Sequence, residues 1–109
     1  MKVSIIVLNY NYARYLQDSI GNSLKQSYKN TEVIVVDDGS TDASLKIIEK
    51  YGNSIKKISQ SNKGMIEASN SGFSESTGEI LIFLDADDYL YSNAVSRIVE
   101  IWEPGTSKV

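Results

Sequence analysis

The sequence contains no cysteine and no histidine, and these two absences remove several classes of chemistry. Without cysteine there are no disulfides and no thiolate metal sites. Without histidine there are no imidazole metal ligands, and a Ser-His-Asp or Cys-His nucleophile system is excluded within this chain. Any acid–base chemistry must therefore use carboxylates, lysine or tyrosine.

The sequence also lacks a run of basic residues and a long apolar segment. A nucleic-acid surface normally has a clustered basic footprint, whereas the net charge here is −3. The apolar run at residues 5–8 is too short for a membrane span or a signal-peptide core. We therefore expect no nucleic-acid partner and a cytoplasmic protein.

The composition indicates one folded unit. Of the 109 residues, 41% are hydrophobic and 23% are charged, which suits a single globular domain with a modest core. We expect this domain to cover residues 1–103. Residues 104–109 are expected to form a C-terminal tail or to mark the point at which a longer chain was cut.

Short apolar segments alternate along the chain with amphipathic ones. Runs rich in β-branched residues predict buried strands, and apolar residues at three- and four-residue steps predict helices. The alternation predicts an α/β fold with a mostly parallel sheet, flanking helices and right-handed crossovers. The predicted strands are residues 3–8, 32–36, 55–59 and 80–84. One predicted helix begins at residue 65, and the others follow the predicted caps Asn11, Ser40 or Thr41, and Ser92.

Polar residues follow each of the three strongest predicted strands. Ligands of open parallel sheets bind beyond the carboxyl ends of the strands. If the first strand lies between the other two, the polar segments meet along one edge, and we expect the site there. These segments are Asn9-Tyr10-Asn11, Asp37-Asp38-Gly39-Ser40 and Asp85-Ala86-Asp87-Asp88.

The last of these segments indicates a metal site. In an extended chain Asp85 and Asp87 point to the same side, and their charges repel unless a cation lies between them. Mg²⁺ or Mn²⁺, held by few carboxylates and completed by substrate phosphates, fits such a pair. The alternative is that these acidic residues cap the following helix, because a short acidic motif alone has low specificity.

Three further features have both a structural and a functional interpretation. A turn and a helix cap explain residues 39–41 but not the adjacent acids before them, which favours a contact between Asp38 and a base or ribose. Residues 62–64 form a simple turn or bring Lys63 to a diphosphate. Tyr10 either packs locally or flanks a base.

Together these segments resemble the family 2 glycosyltransferases, a group of inverting enzymes with the GT-A fold. The resemblance extends over residues 3–91 in the family's order and spacing. It implies a Rossmann-like nucleotide-binding half that binds a nucleoside-diphosphate sugar, usually a UDP-sugar, for transfer to an acceptor hydroxyl with inversion. The matching stretches are VSIIVLNYNYARYL, SLKQSY, EVIVVDDGSTD, NKGMIEASNSGFSESTGEI and LIFLDADDYL.

The resemblance also implies roles for single residues. Asp38 is expected to contact the base and Asp85 the ribose. Asp87, with Asp85, is expected to bind Mn²⁺ or Mg²⁺, which stabilises the departing diphosphate. Asp88 is expected to be a supporting acid near the donor sugar. The residues expected to bind the nucleotide are Leu8, Asn9, Tyr10, Asp38, Lys63, Gly64, Asp85 and Ala86.

Members of this family continue with a strand-rich acceptor half that carries a carboxylate general base. Neither is present in this sequence, so we expect the chain to bind a donor without transferring the sugar efficiently. The resemblance leaves open the sugar, the nucleotide, the acceptor (glycan, lipid or protein) and membrane association of a longer protein. We also expect open strand edges to favour self-association of this truncated unit.

Other α/β classes place a different signature after the first strand. A receiver domain has an acidic pair there, a haloacid-type phosphatase has D-x-D, and a dinucleotide-binding domain has Gly-x-Gly-x-x-Gly. This chain has Asn9-Tyr10-Asn11 at that position. A non-catalytic module that binds nucleotide or carbohydrate stays an alternative, because a fold alone does not decide function.

Overall fold

The structure is a computed structural model and describes residues 1–102. The C-terminal tail expected at residues 104–109 lies outside the described residues. Within residues 1–102, none of the helices has the length and apolarity needed to cross a membrane. The elements are β1 (Val3–Asn9), α1 (Ala13–Leu24), β2 (Thr31–Asp38), α2 (Ser44–Glu49), a 3₁₀ turn (Gly52–Ser54), β3 (Lys56–Gln60), α3 (Met65–Glu75), β4 (Ile80–Asp85) and α4 (Ala94–Trp102).

The four strands form one parallel sheet in the order β3-β2-β1-β4, which confirms the predicted α/β class. Strand β1 therefore lies between β2 and β4, which is the order that brings the three polar segments together. The register aligns the strand ends, since Leu8 pairs with both Val36 and Asp85, and Asn9 pairs with Asp37. The three polar segments consequently leave the sheet at the same edge.

Both faces of the central strands are covered. All seven residues of β1 are buried, and because side chains alternate along a strand, its five apolar residues contribute to two separate apolar clusters. Ile5 and Val7 pack in the cluster that includes residues of α1 and α4. Ile6 and Leu8 pack on the other face in the cluster that includes Ala68 of α3. The layers of helix, sheet and helix hold the strand ends in fixed positions.

The predicted cap of α1 is wrong. The helix begins at Ala13, and Asn11 has a φ of 57°, which is not the extended conformation of a capping residue. The Asn11 side chain instead reaches across to the loop after β2, where its Oδ1 accepts the N–H of Thr41 at 2.7 Å and of Asp42 at 3.3 Å.

The predicted cap of α2 is also wrong. The helix begins at Ser44, and the carboxylate of Asp42 accepts the Ser44 N–H at 2.9 Å. Neither Ser40 nor Thr41 caps this helix, because the residue before it is Ala43, and Ser40 Oγ accepts the Asn11 N–H at 2.9 Å instead of a helix N–H. In both loops the polar side chains connect neighbouring segments, and sequence spacing does not show such contacts.

At the other end of the sheet, where the strands begin, Glu32 of β2 connects several elements. Its carboxylate accepts Ser4 Oγ at 2.5 Å and the Thr77 N–H at 2.6 Å, and it pairs with Lys56 Nζ at 3.0 Å. Burial opposes ionisation, but the hydrogen bonds from Ser4, Thr77 and Lys56 outweigh it and lower the pKa of Glu32 to about 2. This network connects β1, β2, β3 and the turn before β4.

Candidate metal and nucleotide site

The acidic segment after β4 forms a tight turn. Strand β4 ends at Asp85, and the N–H of Asp88 donates to the Asp85 carbonyl oxygen at 2.9 Å. The extended D-x-D geometry expected from the sequence is therefore wrong beyond Asp85. The turn brings a third acid to the pair, because carboxylate oxygens of Asp85, Asp87 and Asp88 lie within 4.8 Å of one another. We call these three residues the acidic turn.

The donor set of the acidic turn fits a hard divalent cation. All three side chains are exposed, and within residues 1–102 no lysine or arginine forms an ion pair with them. Like charges at this separation repel unless a cation neutralises them. Carboxylate oxygens are the ligands that Mg²⁺ and Mn²⁺ prefer, and exposure leaves room for water or phosphate oxygens to complete the coordination.

Ala86 anchors the acidic turn to the interior. Its N–H donates to the Leu8 carbonyl oxygen at 3.0 Å, and its carbonyl oxygen accepts Ser19 Oγ at 2.8 Å. Ala86 is fully buried, so it lies beneath the site while the acids on either side of it face solvent. Its expected contact with a nucleotide stays a prediction. Sequence reasoning missed Ser19, whose role depends on which face of α1 meets β4.

A cleft of about 310 Å³ opens beside the acidic turn. Its volume lies at the lower end of the range for small-molecule sites, and its lining combines aromatic, apolar and acidic side chains. Clefts of about 270 and 300 Å³ lie beside α1 and between α2 and β3, away from the acidic turn. The cleft beside the acidic turn also includes Tyr12 and Met65, for which the sequence predicted no role in the site. It is lined by Leu8, Tyr10, Tyr12, Met65, Asp85 and Asp87.

Asn9 and Asp37 form a buried pair at the carboxyl ends of β1 and β2. The carboxylate of Asp37 accepts Asn9 Nδ2 at 2.9 Å, the Ser40 N–H at 2.9 Å and Ser40 Oγ at 2.6 Å. Asn9 is fully buried and Asp37 is 1% exposed. The pair therefore ties the end of β1 to the end of β2. The expected contact between Asn9 and a nucleotide stays a prediction.

Asp38 holds the loop between β3 and α3. Its carboxylate accepts Gln60 Nε2 at 2.9 Å and the N–H groups of Lys63 and Gly64 at 2.8 and 2.9 Å. Burial opposes ionisation, but the hydrogen bonds from Gln60, Lys63 and Gly64 outweigh it and lower the pKa of Asp38.

The position of Asp38 bears on its expected contact with a base. The residue is 1% exposed, whereas Lys63 and Gly64 lie on the surface. In this conformation a base would reach the carboxylate only if the loop at Lys63 and Gly64 moved. The contact between Asp38 and a base therefore stays a prediction, and the role that the structure gives Asp38 is to position this loop.

A parallel α/β sheet with a cleft and convergent polar groups at its carboxyl edge is the architecture of nucleotide-binding α/β proteins. The sequence model described as "Glycosyl transferase family 2" matches residues 4–109. The chain therefore belongs to glycosyl transferase family 2, and the suspected family is confirmed.

Individual proteins similar to this chain include glycosyltransferases with known structures. An uncharacterised glycosyltransferase of Nostoc sp. is 46% identical over 107 residues, which cover 94% of this chain and 33% of the relative. S. aureus TarS 1–349 in complex with UDP-GlcNAc has a TM-score of 0.81 and 32% identity, with 93% of this chain and 31% of that chain covered. The mannosyltransferase PcManGT from Pyrobaculum calidifontis, in complex with GDP-Man and Mn²⁺, has a TM-score of 0.74 and 28% identity, with 81% and 28% covered. The chain thus spans about a third of the length of these relatives.

Proposed function

We propose that this chain is the donor-binding part of a metal-dependent, inverting glycosyltransferase and that it binds a nucleoside-diphosphate sugar, with UDP-sugars favoured. The observation that carries the proposal is the acidic turn beside a cleft lined by Tyr10 and Tyr12, in a chain of this family. The solved relatives with UDP-GlcNAc, and with GDP-Man and Mn²⁺, support both a nucleotide sugar and a divalent ion.

The parts of the site have distinct proposed roles. Asp87 and Asp85 hold Mn²⁺ or Mg²⁺, and Asp88 is the supporting acid close to the donor sugar. When bound, the ion supplies Lewis-acid stabilisation of the diphosphate that departs from the sugar. Tyr10 offers an aromatic surface to the base, because its side chain is partly exposed in the cleft. Lys63, which is exposed on the adjacent loop, offers a mobile cation to the diphosphate.

Acceptor recognition is proposed to belong to a longer protein. The chain spans about a third of the relatives it matches. We therefore assign two tasks to residues outside this chain: binding the acceptor, which is a glycan, lipid or protein, and deprotonating its hydroxyl. A cytoplasmic location and membrane association of that longer protein stay predictions. If the chain is instead part of a non-catalytic binding module, it binds the same donor but the longer protein transfers no sugar. A transfer assay on the longer protein therefore separates an enzyme from a binding module.

Calorimetric titration tests the donor site. UDP and GDP are titrated into the chain in Mn²⁺ and then in EDTA, with Asp87→Asn and Asp18→Asn as paired variants. Asp18 is an exposed acid on α1 that does not line the cleft at the acidic turn. We expect binding that requires Mn²⁺, that Asp87→Asn weakens by roughly tenfold or more, and that Asp18→Asn leaves unchanged. A folded chain that binds neither nucleotide in Mn²⁺ contradicts the proposal.

A further inference from the structure

We propose that Ser19 of α1 is a positioning residue for the acidic turn. Its hydroxyl holds the carbonyl group of Ala86, and this contact sets where the carboxylates of the acidic turn lie. The consequence for metal binding rests on the function proposed above. The effect of the Ser19 hydrogen bond on the turn itself does not depend on that function, and a separate measurement tests it.

The hydrogen bond of Ser19 is directed across the interface between α1 and β4. Ser19 Oγ lies 2.8 Å from the Ala86 carbonyl oxygen, and 3.3 and 3.2 Å from the carbonyl oxygens of Tyr15 and Leu16 in its own helix. A serine hydroxyl has one proton to donate, and the shortest contact takes it. Ser19 is 1% exposed and Ala86 is fully buried, so water does not compete for this bond.

The bond fixes the backbone at the centre of the acidic turn. The Ala86 N–H is already tied to the Leu8 carbonyl oxygen of β1 at 3.0 Å. Because a peptide unit is planar, holding the Ala86 carbonyl also fixes the plane that contains the nitrogen of Asp87. Asp85 and Asp87 flank this doubly held residue, so the Cα–Cβ bonds of both leave the backbone in defined directions. Strand β1 and helix α1 therefore fix the acidic turn from beneath, and its exposed side is left free for a cation.

Removing the hydroxyl has a specific expected effect. Ser19→Ala leaves the Ala86 carbonyl buried and without a partner, and the turn relaxes to recover a hydrogen bond. Groups that orient the ligands of a metal without touching it change metal affinity by about 10- to 100-fold when they are removed. We expect Ser19→Ala to fall at the lower end, about tenfold, because Ser19 acts through the backbone.

Helix α1 offers a matched control. Ser23 lies one turn further along, is also fully buried, and donates its hydroxyl to the Ser19 carbonyl oxygen at 2.8 Å. Ser23→Ala removes the same group from the same helix at the same burial. It breaks a bond within the helix and leaves the contact with Ala86 intact.

Two measurements test the proposal. The first is amide hydrogen exchange on the metal-free chain, with the Val35 amide at the centre of the sheet as internal reference. We expect Ser19→Ala to speed exchange of the Asp88 amide, which closes the turn, by about tenfold relative to Val35, and Ser23→Ala to leave that ratio unchanged. The second is Mn²⁺ titration in the presence of UDP. Of the two variants, only Ser19→Ala is expected to lower the affinity for Mn²⁺, by about tenfold.

The outcomes are distinguishable. Unchanged relative exchange at Asp88 in Ser19→Ala overturns the proposal whether or not the chain binds metal. Faster exchange with unaltered Mn²⁺ affinity overturns the positioning role toward the ion. If the unaltered chain binds no Mn²⁺ with UDP, the proposed function fails, while the exchange measurement still decides whether Ser19 holds the turn.

Discussion

Asn11 connects the loop after β1, which lines the cleft, to the loop after β2. It lies between Tyr10 and Tyr12, and its backbone has a left-handed φ of 57°. Its Oδ1 accepts the Thr41 N–H at 2.7 Å, and its own N–H donates to Ser40 Oγ at 2.9 Å. Asparagine tolerates this conformation better than most residues because its short side chain bonds nearby backbone. The contacts therefore offset the strain and keep both tyrosines in place.

Two substitutions at Asn11 separate its backbone conformation from its side-chain contacts. Asn11→Gly keeps access to a positive φ but loses the bond to Thr41, whereas Asn11→Ala loses both. We expect both variants to weaken UDP binding and Asn11→Ala to be less stable than Asn11→Gly by about 1 kcal/mol. Urea denaturation and calorimetry measure these two effects. Equal stability of the two variants contradicts this account of the loop.

Local sequence patterns predict some of the site residues, whereas others depend on contacts between elements distant in sequence. The acids of the acidic turn could be predicted, because a strand rich in apolar residues runs directly into them. The roles of Ser19, Tyr12 and Met65 could not, since they depend on which face of a helix meets another element. Asp38 stands out in the sequence as an acid that a turn or a cap does not explain, but its partners Lys63 and Gly64 are 25 and 26 residues away and no local pattern connects them.

Helix α3 packs closely on the sheet because Gly72 has no side chain. A Cβ at Gly72 would lie 2.5 Å from Ile6 Cγ2, whereas a Cβ at Gly21 of α1 would meet nothing within 4 Å. Both glycines lie in helix interiors and neither has a positive φ. The two positions therefore form a matched pair that separates packing from helix propensity.

Alanine at the two positions is expected to have opposite effects. Gly72→Ala forces α3 away from β1 and lowers the free energy of unfolding by about 1–3 kcal/mol. Gly21→Ala reduces the freedom of the unfolded chain and raises the free energy of unfolding by roughly 0.5–1 kcal/mol. Urea denaturation measures both. A stabilising effect of alanine at Gly72 rules out the close packing described here.

The start of α4 depends on a residue far away in sequence. Gln26, just after α1, is 1% exposed. Its Nε2 donates to the Tyr91 carbonyl oxygen at 2.7 Å, and its Oε1 accepts the Val95 N–H at 3.1 Å. The sequence predicted a helix after Ser92, and the helix begins at Ala94. Strand bounds were predicted within about two residues because buried β-branched runs are a local signal, whereas caps supplied from other elements are not.

Acid is expected to destabilise the fold through Glu32. Because its pKa is lowered from 4.5 to about 2, Glu32 contributes stability above pH 4.5 that is lost as the pH falls through 2. The Glu32 side chain is 10% exposed but its lysine partners are 40% and 47% exposed, so solvent screens part of the contribution, which is at most about 3 kcal/mol. Stability is therefore expected to fall between pH 5 and pH 2, apart from any effect of other groups.

Glu32→Gln isolates this contribution. The variant cannot gain or lose the proton at this position, so its stability is expected to change less with pH than that of the unaltered chain. Asp38 and Asp42, whose pKa values are also lowered against the effect of burial by hydrogen bonds, are present in both and cancel in the comparison. Denaturation curves at pH 6 and pH 3 give the difference. Identical pH dependence of the two proteins means that Glu32 does not act in this way.

The outer edge of the sheet bears on self-association. Among residues 1–102, β4 pairs with β1 alone, and Phe83 on β4 is 47% exposed. An open strand edge with an exposed aromatic residue is a surface that other chains can pair with. Self-association of this unit stays a prediction.

The location of a bound Mn²⁺ is the sharpest test of a metal-dependent nucleotide site at the acidic turn. Mn²⁺ is paramagnetic and broadens the amide signals of residues close to it, so it is titrated into the ¹⁵N-labelled chain in the presence of UDP. We predict loss of the signals of residues 85–88 and 8–10, and much weaker broadening of the signal of Glu32, which lies two strands across and four residues down the sheet from Asp85, about 16 Å away. Broadening centred elsewhere, or none, would contradict a metal-dependent nucleotide site at the acidic turn.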